Sequence, residues 1–303
     1  MLNRKELRLL KSKLRVSSFA IALLMLFLSA CGAPSGEADP ETADPAESLT
    51  YETVLRDPNG MPIPDYSDVN RSVLEPALFF KDEKGRMQYD DPSVRLYTGI
   101  DVSSFQGTVD WDAVREDGID FVMLRAGGRG WAENGLMYED DMFRKNCADA
   151  AEAGLKVGAY FFSQATNEAE AEEEARFLLG IIKDCPLTYP VAFDWEHVDD
   201  NPDARTNAVS DEMLTACAVR FCDVIREGGF EPIIYFNRKL GYFFYDLSIV
   251  KTYDFWLAEF ADAPAFIYQY KMWQYSDSGS VDGISGIVDL NISLYDFSQT
   301  VKK

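Results

Sequence analysis

Asp194 and Glu196 follow the apolar run Val191-Ala192-Phe193 and stand two residues apart. On an extended chain that spacing projects both side chains to the same side. Two neighbouring carboxylates do not both ionise cheaply, so a proton donor is held beside a permanent anion. Such a pair can cleave a glycosidic bond: one carboxyl protonates the leaving oxygen while the other faces the developing cation. Spacing alone is a weak signal, because in so acidic a chain acid-x-acid pairs arise on the order of eight times by chance, mostly on solvated surface. Position is the stronger one, since surface acids are not expected directly after an apolar strand. The alternative for the same residues is a loop binding Ca²⁺ or water together with Asp199 and Asp200. His197 is the sole histidine. That excludes paired-His zinc sites and facial triads, and a Ser/His/Asp triad would have to use His197 alone. It reads as a loop residue or a hydrogen-bond partner, and proton chemistry falls to carboxylates. No metal or cofactor is expected.

The elements that position this pair follow a regular pattern from Tyr97 onward, where short apolar runs alternate with amphipathic stretches as βα units require. The strands expected are Thr98–Val102, Phe121–Ala126, Lys156–Ser163, Pro190–Trp195, Pro232–Phe236, Asp254–Glu259, Met272–Tyr275 and Ile287–Ile292. Helices are expected over Glu139–Ala153, Glu168–Lys183 and Asp211–Glu227, the second opening at Asn167 with Glu170 three residues on, close to a capping box. The fold class is therefore α/β: a single irregular (β/α) TIM-like barrel over residues 97–303, with a small N-terminal elaboration over 51–96. The late helices are short or missing, hence irregular. In such barrels chemistry sits at the C-terminal strand ends, where Asp101, Asp194, Gln274 and Asp289 fall. Arg125-Ala-Gly-Gly-Arg-Gly130 lacks phosphate-loop spacing and reads as the loop after the second strand. Tyr160, Tyr235 and Trp256 lie near strand ends, as core or as stacking surfaces for sugar rings; Tyr235 and Trp256 are the ones expected in the cleft.

Of the 303 residues, 51 are acidic and 29 basic, for a net charge of −22. Six of the bases and one acid fall in residues 1–30, so the remainder holds 23 bases and 50 acids, a net −27. That surface repels phosphate backbones, and no nucleic-acid partner is expected. Residues 1–30 read as a signal peptide, basic and then apolar from Val16 to Ala30. Leu28-Ser-Ala-Cys31-Gly32 resembles the lipobox of bacterial lipoproteins, which implies diacylation at Cys31 and an extracytoplasmic, membrane-anchored protein. An uncleaved membrane anchor is the other reading of this segment. After Cys31 comes an acidic tether to residue 50, with five acids and no base in residues 32–50. Cys147, Cys185, Cys217 and Cys222 form no CxxC pair; Cys147 and Cys217 read as small core residues, and no structural disulfide is expected.

Ordered blocks over residues 97–303 resemble glycoside hydrolase family 25, the cell-wall lysozymes that act as N-acetylmuramidases. The blocks are Gly99-Ile-Asp101-Val-Ser103-Ser-Phe-Gln106-Gly107, Trp111, Asp120-Phe-Val-Met-Leu-Arg125-Ala126 and Ala153-Gly-Leu-Lys-Val-Gly-Ala-Tyr160-Phe-Phe162. They continue as Phe193-Asp194-Trp-Glu196, Pro232-Ile-Ile-Tyr235, Phe255-Trp256-Leu-Ala258, Trp273-Gln274-Tyr275 and Gly286-Ile-Val-Asp289-Leu-Asn291. The resemblance implies Glu196 as general acid and Asp194 as assisting carboxylate, with Asp101 and Asp289 completing an acidic cleft. It implies Tyr160, Phe162, Tyr235, Trp256 and Gln274 at the substrate, and a monomer acting on peptidoglycan glycan strands. Either Asp194 forms a glycosyl ester or it steers the substrate's own N-acetyl carbonyl; assistance is favoured, since N-acetyl sugars offer that oxygen. One departure is Phe161, where the family often has histidine. The competing functions are an inactive peptidoglycan-binding lipoprotein and a solute-binding lipoprotein of a transporter. Retention of both Asp194 and Glu196 argues against the first, and a chain too short for two lobes against the second.

Overall fold

From Tyr97 onward the apolar runs pair edge to edge until the sheet meets itself. The computed structural model describes residues 55–198, 201 and 203–299. The leader over 1–30, Cys31, the tether, and Asp199 and Asp200 of the Ca²⁺ alternative lie outside the described residues. A first hairpin joins β1 (Phe79–Lys81) to β2 (Met87–Tyr89). The barrel sequence then runs β3 (Tyr97–Val102), α1 (Trp111–Glu116), β4 (Phe121–Arg129), β5 (Met137–Glu139), α2 (Phe143–Glu152), β6 (Lys156–Ser163), α3 (Glu168–Ile182) and β7 (Val191–Trp195). It continues with α4 (Asp211–Glu227), β8 (Pro232–Asn237), α5 (Arg238–Phe243), α6 (Leu247–Val250), β9 (Asp254–Ala258), β10 (Met272–Gly279) and β11 (Val288–Ser293).

The result is a mixed α/β fold around a closed eight-stranded barrel, in the spatial order β3-β11-β10-β9-β8-β7-β6-β4 with β4 returning to β3. Six consecutive pairings from β3–β4 round to β9–β10 are parallel. The eighth strand departs from a uniform βα repeat: β11 runs antiparallel to both β10 and β3. A hairpin can do this because antiparallel neighbours need only a short turn, whereas parallel ones need a crossover. The chain also passes from β9 to β10 without a helix.

The N-terminal elaboration covers the wall those missing helices leave bare. Trp273 and Tyr275 point outward from β10; Phe79 packs edge-on against Trp273 at 5.1 Å, and the Met87 N–H donates to the Tyr275 hydroxyl at 3.2 Å. Arg86 fixes the hairpin to the barrel through Asp117 at 2.6 Å, both side chains being buried. Residues from Leu55 onward thus form part of the same core.

Helix starts follow local chemistry. Asn167 accepts from the Glu170 N–H at 3.1 Å, while the Glu170 carboxylate turns to the Thr166 N–H, so the box expected at α3 is only half closed. Ser210 caps α4 through the Met213 N–H. Two expectations are corrected. Glu139 is not helical but pairs with Gly127 in β5, and α2 begins only at Phe143. Arg125–Arg129 is not a loop but the extension of β4. Gly127 and Gly128 are needed there because a Cβ on Gly127 would lie 2.2 Å from the Tyr138 carbonyl oxygen, and one on Gly128 would lie 2.7 Å from the Tyr138 hydroxyl. Cys147, Cys217 and Cys222 are buried, the first and second as their helical spacing implies.

Candidate active site

Strand alternation sorts each side chain to the inside or outside of the barrel. On β7, Val191, Phe193 and Trp195 face the helices, while Ala192 and Asp194 face inward; Glu196, two residues on, joins the same side. The same parity brings Asp101 from β3, Tyr160 and Phe162 from β6, Tyr235 from β8 and Trp256 from β9 to one groove at the strand C-termini. Gln274 from β10 and Asp289 from β11 complete it. Every groove position expected from the sequence is therefore brought together. Register explains the neighbours: Phe162 lies opposite Asp194, Asp194 opposite Tyr235, and Tyr235 opposite Trp256.

Asp101 and Asp289 are direct cross-strand partners. A like-charged pair there is tolerable only if it is bridged or shares a proton. Gln274 supplies the bridge, donating from Nε2 to Asp101 at 2.8 Å and to Asp289 at 3.2 Å. Its carbonyl accepts from the Tyr235 hydroxyl at 2.9 Å. On the other flank the Trp256 indole N–H donates to Asn291 at 2.9 Å, and Asn291 donates to Asp101 at 2.7 Å. Tyr235 and Trp256 thus form the groove floor with little exposed surface and hold the acids through amides. His197 packs edge-on between Trp195 and Phe244.

The electrostatics favour protons on Asp101, Asp194 and Asp289. Burial raises Asp101, opposed by the hydrogen bonds from Asn291 and Gln274. Burial, then the Asp101 charge, pushes Asp289 up to about 8. Asp194 is raised well above the ordinary carboxylate range by burial, then by Glu196 and Asp101, with Arg125 pulling the other way. Its Oδ1 is buried and accepts no hydrogen bond from any described residue. Asp194 also shares a hydrogen bond with the Glu196 carboxyl, which raises it further, so Oδ1 is the oxygen left open to a ligand N–H or O–H.

Asp289 makes the stability of the fold depend on pH. Its folded pKa of about 8 lies above the unfolded carboxylate value, so the folded state binds more protons between the two. That contribution is fully present below about pH 4 and is lost as pH rises through about 8. Asp289→Asn removes the ionisation, and should be the more stable protein at pH 8 by roughly 1–2 kcal/mol after allowance for solvent screening. The check is Tm of both proteins at pH 5 and pH 8: the gap should widen at the higher pH. Activity should fall, but less than on loss of Asp194 or Glu196.

Ser103, Phe105 and Gln106 also line the groove, and so does Arg125, which the sequence reads as a loop residue. It is bound to Asp140 by Nε at 2.9 Å and to the Ser104 hydroxyl at 3.1 Å, with Phe105 stacked on the guanidinium at 4.9 Å. Parity from Phe121 and Met123, both inward, was the signal that would have found it.

The sequence matches the family model described as Glycosyl hydrolases family 25 over residues 100–284. It is 32% identical over 197 residues to an autolytic lysozyme of Clostridium acetobutylicum, covering 64% of this chain and 54% of that protein. It is 28% identical to lysozyme M1 of Streptomyces globisporus, over 64% of this chain and 66% of the relative. The chain thus spans about half the length of the first of these relatives. Among solved structures, a family 25 glycosyl hydrolase from Bacillus anthracis superposes with a TM-score of 0.58 at 20% identity, over 71% of this chain and 97% of the other.

Proposed function

This chain belongs to glycosyl hydrolases family 25, and from that premise we propose that it is a cell-wall lysozyme. It hydrolyses the β-1,4 bond from N-acetylmuramic acid to N-acetylglucosamine in peptidoglycan. The observation that carries the mechanism is the buried Asp194 Oδ1, an acceptor awaiting a donor beside Glu196. A 2-acetamido N–H supplies that donor. Its hydrogen bond favours the ionised form of Asp194, offsetting the burial that raises the group in the empty groove. Held so, the acetamido oxygen attacks the anomeric carbon as Glu196 gives its proton to the leaving oxygen. The glycosidic bond breaks, and Asp194 stabilises the positive oxazolinium. Glu196, now a carboxylate, takes a proton from water as that water opens the oxazolinium, with net retention. Asp101 and Asp289 share a proton on the opposite wall of the groove, and the amides of Gln274 and Asn291 keep them in place.

The test is fragment release from purified peptidoglycan across pH 3–10. Paired carboxylates predict a bell with its optimum between roughly pH 4 and 7, where one group is protonated and one ionised. A rate rising steadily into alkali contradicts the mechanism. Absence of turnover with retained glycan binding favours an inactive peptidoglycan-binding lipoprotein instead.

The barrel is a TIM-like (β/α) barrel whose last units have lost their helices, a reading supported by the run of parallel strands before β11. The protein is exported and anchored through lipidated Cys31, a reading that rests on the basic-apolar leader and the Leu28–Gly32 pattern. Cys31→Ala should move the protein from the membrane to the soluble fraction without changing its activity on soluble glycan fragments. Retention on membranes favours an uncleaved anchor.

A further inference from the structure

One wall of the groove rises above the rim of the barrel. β4 is nine residues long; its first half pairs with β3, and Gly127–Arg129 continue beyond to pair with β5. The hairpin is clamped where it enters its turn, since Arg129, paired with Met137, is buried against Glu174 at 2.7 Å and donates to the Gly135 carbonyl at 3.0 Å. The Arg205 N–H holds the tip by donating to the Trp131 carbonyl at 3.2 Å. A hairpin fixed in this way nevertheless leaves Trp131, Leu136 and Tyr138 49%, 68% and 40% exposed. Phe105, beside it on Arg125, is 84% exposed. Large apolar side chains gathered on a rigid element beside a groove mark a binding surface. The surface is continuous with the groove, since the Tyr138 hydroxyl and the Phe162 Cβ both crowd the position a Gly128 side chain would fill.

We propose that the β4–β5 hairpin and Phe105 form an apolar shelf that binds sugar rings of the glycan strand beyond the cleaved bond, making the protein selective for long strands. This rests on the glycan-cleaving reading of the groove. A pyranose presents an apolar face of C–H groups and a polar edge, which suits aromatic and aliphatic surface next to a polar cleft. A lipid surface suits it less. The tip carries Glu133 and no exposed cation, on a chain of net charge −22, whereas membrane-binding elements pair apolar residues with Lys and Arg.

The experiment compares wild type with Trp131→Ala and Leu136→Ser on peptide-free glycan strands and on a tetrasaccharide of the same repeat. For strands, KM should rise roughly tenfold at unchanged kcat, the factor that about 1.4 kcal/mol of lost binding produces. Tetrasaccharide kinetics and Tm should not move. Unchanged strand KM, or an equal loss on both substrates, overturns the shelf. So does binding of wild type to phospholipid vesicles that the Trp131→Ala variant loses while its strand kinetics stay intact. Sedimentation with insoluble peptidoglycan separates the two claims. If wild type cleaves neither substrate, the hydrolase reading fails, and equal sedimentation of wild type and Trp131→Ala then overturns the shelf independently.

Discussion

Glu196→Gln should leave a folded protein that binds glycan strands and does not cut them. A general acid contributes roughly 10²–10⁴-fold, because without it the sugar oxygen must depart as an alkoxide. Glutamine keeps the size and hydrogen-bonding reach of the side chain but has no proton to give. The defect should therefore depend on the leaving group: a substrate whose aglycone is already acidic should be cleaved by the variant far closer to the wild-type rate than a sugar–sugar bond is. Strand binding and Tm serve as controls, and both should be retained. Near-wild-type cleavage of strands removes Glu196 from the role.

Asp194→Asn should be nearly as damaging, for a different reason. The lost group is the charge facing the oxazolinium, and removing one such stabilising group from a preorganised site costs about 10²–10³ in kcat. Unlike Glu196→Gln, the acidic aglycone should not rescue it, because the positive centre still forms without its anion. Stability should move the other way. Folded Asp194 is raised by burial and by its acidic neighbours, so the native protein holds this proton above the pH at which the unfolded chain releases it. That stability contribution is present at low pH and lost as pH rises. The asparagine variant, which cannot ionise, should melt higher than wild type at neutral and alkaline pH and lose that advantage in acid. Slower turnover with a higher Tm is the signature of an acid kept for chemistry; a residue holding the fold would lower both.

Much of this site was legible in the chain because strands alternate strictly. Once Val191–Trp195 is a strand, Asp194 and Glu196 must share a side, and the same counting places Tyr160 with Phe162 and Asp289 with Asn291. The groove needs no information beyond which end of each strand is meant. What the sequence did not disclose depended on contacts between distant segments. Glu139 carries no mark that separates a helix start from a strand residue; its pairing with Gly127 decides, and the double glycine that permits this looks like a loop. Arg125, just before those glycines, is masked for the same reason. The apolar run of β11 has no direction of its own; only the connection from β10, too short for a crossover, marks it as antiparallel. The task of the β1–β2 hairpin, shielding Trp273 and Tyr275, is encoded by no local pattern. That Tyr235 and Trp256 line the groove with little open surface also depends on Gln274 and Asn291, their partners across the barrel.

The identity of the sugar at the new reducing end decides which bond the groove cuts. Purified, peptide-free glycan strands are digested to completion, the new ends are reduced with borohydride, and the hydrolysed products are separated. A muramidase leaves every new end as reduced N-acetylmuramic acid. Reduced N-acetylglucosamine in its place would mean that the other bond of the repeat is cut and that Glu196 and Asp194 do not act on the muramic acid linkage.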